Sequence, residues 1–400
     1  MSAALVLILA VAVAYLATHI AFDWLARRFL IVSGAEYLVL GILLGPHVSG
    51  VLSAEVIDGF APLITLSLGW IGAIVGTQFF LPVLVRVAGL MYRIAFAEAA
   101  LTLLLVGGVC TLAIAWALGL PYEVAAIPGV ALGAIAVVSA PAGIALVVRQ
   151  LARRGPIVRQ LEVVTAIEAL VGVAVMGLLL CIHHPPGGST RLVTPTEWAV
   201  ITVGIGVVGG TLFHLFLGGE RHIDRLFISL AGSIVLISGA AAYLELSPLL
   251  ATMLFGAILV NTSRTRDEIH QTLAGTERPL YFALLVFAGA RWTPSLSSGW
   301  VLVVVVFLAA RFAAKVGGAR LAARANGALP ALGKNWGWAL VGQGGLALAL
   351  ALEYLSLDAA PMPNVVFTAA IVSLLVTDVS SARLIHAVVA PRVAPAAEEA

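Results

Sequence analysis

From residue 3 to residue 383 the chain is a near-unbroken succession of apolar runs, each close to the roughly 20 residues an α-helix needs to cross a bilayer. About thirteen such runs are predicted on that length criterion, at 3–22, 29–46, 60–79, 94–118, 122–148, 161–182, 197–217, 226–244, 247–261, 279–293, 299–319, 335–356 and 362–383. Composition agrees. Hydrophobic residues make up 61% of the 400, charged residues 10%, and the mean hydropathy is +1.09. A water-soluble fold of this size needs far more polar cover. The predicted class is an all-α polytopic membrane protein.

The run at 3–22 has no basic segment before it and reads as a retained span, not a cleaved signal. A net charge of +2 argues against nucleic acid as a partner. The two cysteines, Cys110 and Cys181, fall in apolar runs and read as small core residues, with no disulfide framework or metal spacing. His183 and His184 are adjacent in a polar loop, which is poor ligand geometry. No cofactor, no metal beyond a transported ion, and no catalytic constellation is expected.

Basic residues orient the chain. With the amino end outside, the outer loops carry only Arg191 and Arg291 of the 22 Lys and Arg residues, and Arg311 and Lys315 fall within a span. All the others gather on the cytoplasmic side. The carboxyl end is then cytoplasmic, and a bacterial inner membrane is the expected location.

Arg311 and Lys315 stand four residues apart, hence on one helix face. An intramembrane cation costs about 2.5–3.5 kcal/mol on insertion scales and seldom lacks a partner. The stretch 163-VVTAIEALVGVAVM-176 offers one carboxylate, Glu168. Counted from the cytoplasmic side at about 1.5 Å per residue, all three lie in one slab roughly 8–14 Å deep. Glu168 is therefore the expected partner. Glu98 is placed near the interface, where it snorkels or pairs with Arg93.

Two helix interruptions fall at the same depth. One is 138-VSAPAG-143, with Pro141 and Gly143; the other is 341-VGQGG-345, with Gly344 and Gly345. Broken helices at membrane depth must line a protein-enclosed cavity, and interruptions in corresponding positions of two halves point to a transporter's substrate site. Spans 4–6 and 11–13 share that layout in opposite orientation, the pattern of an inverted repeat with two crossing broken helices.

These pieces resemble the monovalent cation:proton antiporter superfamily. The resemblance covers essentially all of residues 25–385 and rests on 37-YLVLGILLGP-46, 248-PLLATMLFGAILVN-261, 277-ERPLYFALLVFAGA-290 and 314-AKVGGARLAAR-324 leading to 341-VGQGGLALALAL-352. It implies core transport helices at 93–183 and 299–385, scaffold and dimerisation helices at 1–92 and 220–298, a linker helix at 184–219 and a tail at 386–400. It also implies a homodimer in which the core moves against the scaffold. Lys315 matches the family's intramembrane lysine, and Glu168 falls near its acidic ion-binding position. Family members usually carry Asp-Asp, Asn-Asp or Gln-Asp in the sixth span, where one register here gives Ile167-Glu168. A second register leaves Gly172-Val173 at that place and makes Glu168 a structural partner of Arg311.

The leading expectation is exchange of Na+ or K+ for protons, with Ser139, Thr165 and Gln343 as further oxygen ligands beside Glu168, Lys315 and Arg311. The rivals are a transporter of the same fold carrying another solute, such as an organic anion, and a non-transporting scaffold or sensor.

Overall fold

A computed structural model of the chain describes residues 35–151, 156–184, 193–217, 223–263, 266–295, 297–357 and 361–390. The predicted first span, the start of the second, and most of the tail lie outside them. Every regular element among the described residues is helical. In chain order the longer ones are α1 (Ala35–Leu44), α2 (Ala61–Thr77), α3 (Gly89–Leu118), α4 (Tyr122–Val137), α5 (Pro141–Leu151), α6 (Pro156–Ile182), α7 (Pro195–Leu217), α8 (Ile223–Tyr243), α9 (Pro248–Thr262), α10 (Arg266–Arg291), α11 (Ser298–Ala313), α12 (Gly345–Leu355) and α13 (Pro363–Val389). A π-helical turn, Ala314–Gly318, continues α11 into Ala319–Ala325, and a 3-10 turn, Trp336–Leu340, precedes α12.

Among the described residues, five helical stretches are long and apolar enough to cross a membrane on their own: Gly89–Leu118, Pro156–Ile182, Pro195–Phe216, Arg225–Tyr243 and Ser298–Ala325. Their outer faces carry large bare apolar side chains. On α3, Leu104, Leu112 and Trp116 are exposed while Glu98 and Thr102 are fully buried. In water such a surface would drive aggregation, and in lipid it is the ordinary exterior. The chain is a multi-pass membrane protein.

Helices approach one another closely through small residues, as expected where lipid supplies no hydrophobic drive for association. The pairing of α2 with α9 shows the rule. A Cβ built at Gly76 would lie 2.2 Å from the Met253 carbonyl oxygen, and one at Gly256 would lie 2.3 Å from that of Ala73. α1 packs on α10 in the same way, α3 lies against α4, and α6 contacts both α3 and α4.

Two segments abandon helical geometry inside this packing. α4 stops at Val137, because Val138 takes an extended conformation (φ −74°, ψ 131°). α5 restarts with Pro141, whose missing N–H costs nothing at a first helical position. The second break runs from Val341 to Gly344, where φ −115° and ψ −171° at Gly344 again extend the backbone before α12 begins. The breaks touch. The Ala140 N–H donates to the Gly342 carbonyl at 2.9 Å, so the two interrupted helices cross at that bond.

Candidate functional site

The crossing leaves helix-end carbonyls without helical partners, and buried carbonyls need donors. At the end of α4, Gln343 Nε2 donates to the Ile135 carbonyl at 3.3 Å, Lys315 Nζ to that of Val137, and Arg311 NH2 to that of Val138 at 3.3 Å. At the other break, Arg311 NH1 donates to the Val341 carbonyl at 2.6 Å and the Ser139 hydroxyl to the Leu340 carbonyl at 2.7 Å. The planar guanidinium thus spans both breaks with its two ends. Cations and an amide cluster where the α4 dipole is negative, which is the favourable sense.

The same lysine also holds two acids. Lys315 Nζ lies 2.9 Å from Glu168 Oε1 and 3.2 Å from Glu98 Oε1, and all three side chains are fully buried. Glu168 reaches the site from α6 and Glu98 from α3. The Thr102 hydroxyl, one helical turn beyond Glu98, donates to Glu98 Oε1 at 2.8 Å.

Lys315 stands in the π-helical turn, a local widening that often accompanies functional sites. Its backbone is pressed by the 3-10 turn. A Cβ at Gly337 would lie 2.4 Å from the Lys315 carbonyl oxygen, so only glycine fits there. Trp336, fully buried, donates its indole N–H to the Ala319 carbonyl at 3.1 Å and locks that contact.

Sequence expectations divide here. The structure brings Glu168 and Lys315 together, and it gathers Arg311, Ser139 and Gln343 at the same crossing. Thr165 is buried, but its hydroxyl bonds the Glu162 carbonyl within α6 at 3.1 Å. Pro141 and Gly143 open α5, with Gly143 against Ile385 of α13; Gly344 and Gly345 open α12.

Two expectations need correction. Arg311 does not pair with Glu168, because helix-end carbonyls take its guanidinium and, among the described residues, the two acids bridge to Lys315. Glu98 neither snorkels nor pairs with Arg93. Its helix starts at Gly89, earlier than the apolar run suggested, so Glu98 lies further into its helix than its distance from residue 94 implied.

Several carboxylate and amide oxygens remain without a hydrogen-bond donor among the described residues: Glu98 Oε2, both oxygens of Glu168 (Oε1 has its charge contact with Lys315), Gln343 Oε1 and, away from this cluster, Glu353 Oε2. A third buried acid, Glu353 of α12, was not anticipated, although it interrupts the apolar run 345-GLALALALEYL-355. It accepts from the Ser247 hydroxyl at 2.7 Å and from the Leu249 N–H at 3.2 Å, both at the start of α9.

No protein-family profile matches the chain, and no characterised protein matches it in sequence. Solved structures do. The sodium proton antiporter MjNhaP1 from Methanocaldococcus jannaschii, in a structure at pH 8, superposes with a TM-score of 0.67 at 16% identity, over 95% of this chain and 96% of that one. An electron-microscopy structure of the same antiporter gives 0.64 at 16% identity, over 98% and 97%. Over nearly its whole length, then, the chain is folded like a sodium proton antiporter.

Proposed function

We propose that the protein is a secondary active transporter that exchanges a monovalent cation, Na+ or K+, for protons by alternating access. The observation that carries this reading is Glu168, a fully buried carboxylate with one oxygen held by a lysine and the other without a donor. Burying such an oxygen is costly unless something fills it part of the time. A proton or a small cation can do so, and each excludes the other. That exclusion is the physical basis of coupled exchange.

The surrounding atoms suit a dehydrated alkali cation, which takes oxygen ligands. Gln343 Oε1 and Glu98 Oε2 are further acceptors without donors. Arg311 and Lys315 hold the α4 carbonyls, and a cation arriving beside Glu168 competes with Lys315 for that acid. The fold neighbours are ion antiporters, so the protein is read as a transporter and not an enzyme. The fold neighbour is a sodium proton antiporter, which supports sodium as the first cation to try.

Ala140 to Gly342, Ser139 to Leu340, and Arg311 to both breaks tie the crossing into one body. This supports a core at 93–183 and 299–385 moving as a unit against a scaffold at 1–92 and 220–298, with 184–219 between them. A homodimer through the scaffold, thirteen spans in inverted repeats, an outside amino end and an inner-membrane location complete the proposal.

Purified protein in liposomes with an entrapped pH dye tests it. Addition of Na+, K+ and Li+ in turn should move protons with at least one cation, and Glu168→Gln should abolish the response. Silence with all three, or full exchange by the Glu168→Gln protein, refutes the reading.

A further inference from the structure

Loading Glu168 creates a difficulty for Lys315. Once a proton or a cation occupies that carboxylate, the lysine loses its nearer anion while remaining fully buried. A buried charge left without a partner is strongly destabilising. A site with one acid would therefore resist the very states that exchange requires.

The geometry points to Glu98 as a second seat for Lys315, taking its ammonium whenever Glu168 is loaded. This rests on the exchange reading and deepens it: Glu98 is a positioning residue that acts through the lysine. Four observations support the assignment. Lys315 Nζ already touches both acids, at 2.9 Å and 3.2 Å, so the transfer needs a small swing of a flexible side chain. Thr102 orients one oxygen of Glu98 from within its own helix. The other oxygen, fully buried, has no donor among the described residues. The charged and polar groups facing the lysine come from separate elements. They are Glu98 on α3, the α4 carbonyl end, Glu168 on α6 and Arg311 on α11, and Arg311 is engaged with carbonyls of both breaks. Glu98 is thus the acid left to receive Lys315.

Thermal melting of the full-length protein in detergent tests this with four variants. Glu168→Gln mimics the loaded state, and Glu98→Gln removes the second seat. Each alone should lower Tm by a few degrees, since one acid remains. Together they should lower it by several degrees more than the sum, because Lys315 is then stranded. Adding Lys315→Met to the pair should recover most of that excess, including the case where the double variant fails to fold and the triple variant folds. Additive losses, or a triple variant no more stable than the double, overturn the inference. In liposomes, Glu98→Gln should lose at least tenfold in exchange and Glu98→Asp should retain more than Glu98→Gln; equal exchange by wild type and Glu98→Gln also overturns it. The exchange reading fails separately, on the response of Glu168→Gln alone.

Discussion

The chain buries acids in two ways. Glu353 is anchored by neutral donors: a hydroxyl at the cap of α9 and a backbone N–H of its first turn. The positive end of that helix adds a favourable dipole. Glu168 and Glu98 instead share one ammonium at the end of a four-carbon stem. Each arrangement leaves a carboxylate oxygen without a donor among the described residues, but only the second can be rearranged by adding a single positive charge. Burial by itself therefore says little about transport; the mobility of the partner says more.

The largest expected effect separates the two acids directly. Glu168→Gln should reduce cation-driven proton movement in liposomes by more than 100-fold, about 3 kcal/mol in rate terms, whereas Glu353→Gln should keep most of it. Comparable losses in both would erase the distinction. Next comes the frame that holds the mobile acid in place. Arg311→Met leaves the Val138 and Val341 carbonyls without their donor and should cost about 3 kcal/mol, read as lower yield and Tm. A smaller effect tests the close approach behind α12. A Cβ at Gly345 would lie 2.3 Å from Tyr281 Cε2, so Gly345→Ala should cost about 2 kcal/mol. Glu353→Gln retains an acceptor oxygen and should cost about 1 kcal/mol in stability. Smallest of all, Ser139→Ala removes one hydroxyl from the crossing, at about 1 kcal/mol or less. A Ser139→Ala loss as large as that of Arg311→Met would mean the guanidinium is not the main tie between the breaks.

Some of the site was legible because membranes impose simple rules. Charges inside apolar runs are rare, so Glu168, Arg311 and Lys315 stood out, and depth along each helix placed them at one level. Pro141 and the glycines at 344 and 345 marked the interruptions, since proline removes a donor and glycine weakens a helix. Glu98 was misplaced because depth was counted from the edge of an apolar run. The helix itself begins at Gly89, and hydropathy does not see a turn that is helical but less apolar. Arg311 was given the wrong partner for a different reason. Sequence shows side-chain charges, whereas its partners are backbone carbonyls from segments 173 and 30 residues away.

By itself the sequence determined that the chain must be helical within a bilayer, where two of its helices fail, and three of the charges that meet there. Those follow from the energy of exposing polar groups to hydrocarbon, which acts locally along the chain. Which acid meets which base was decided only in three dimensions. Pairing depends on where helix ends leave bare carbonyls and on which helix packs beside them, and neither is written in any single segment.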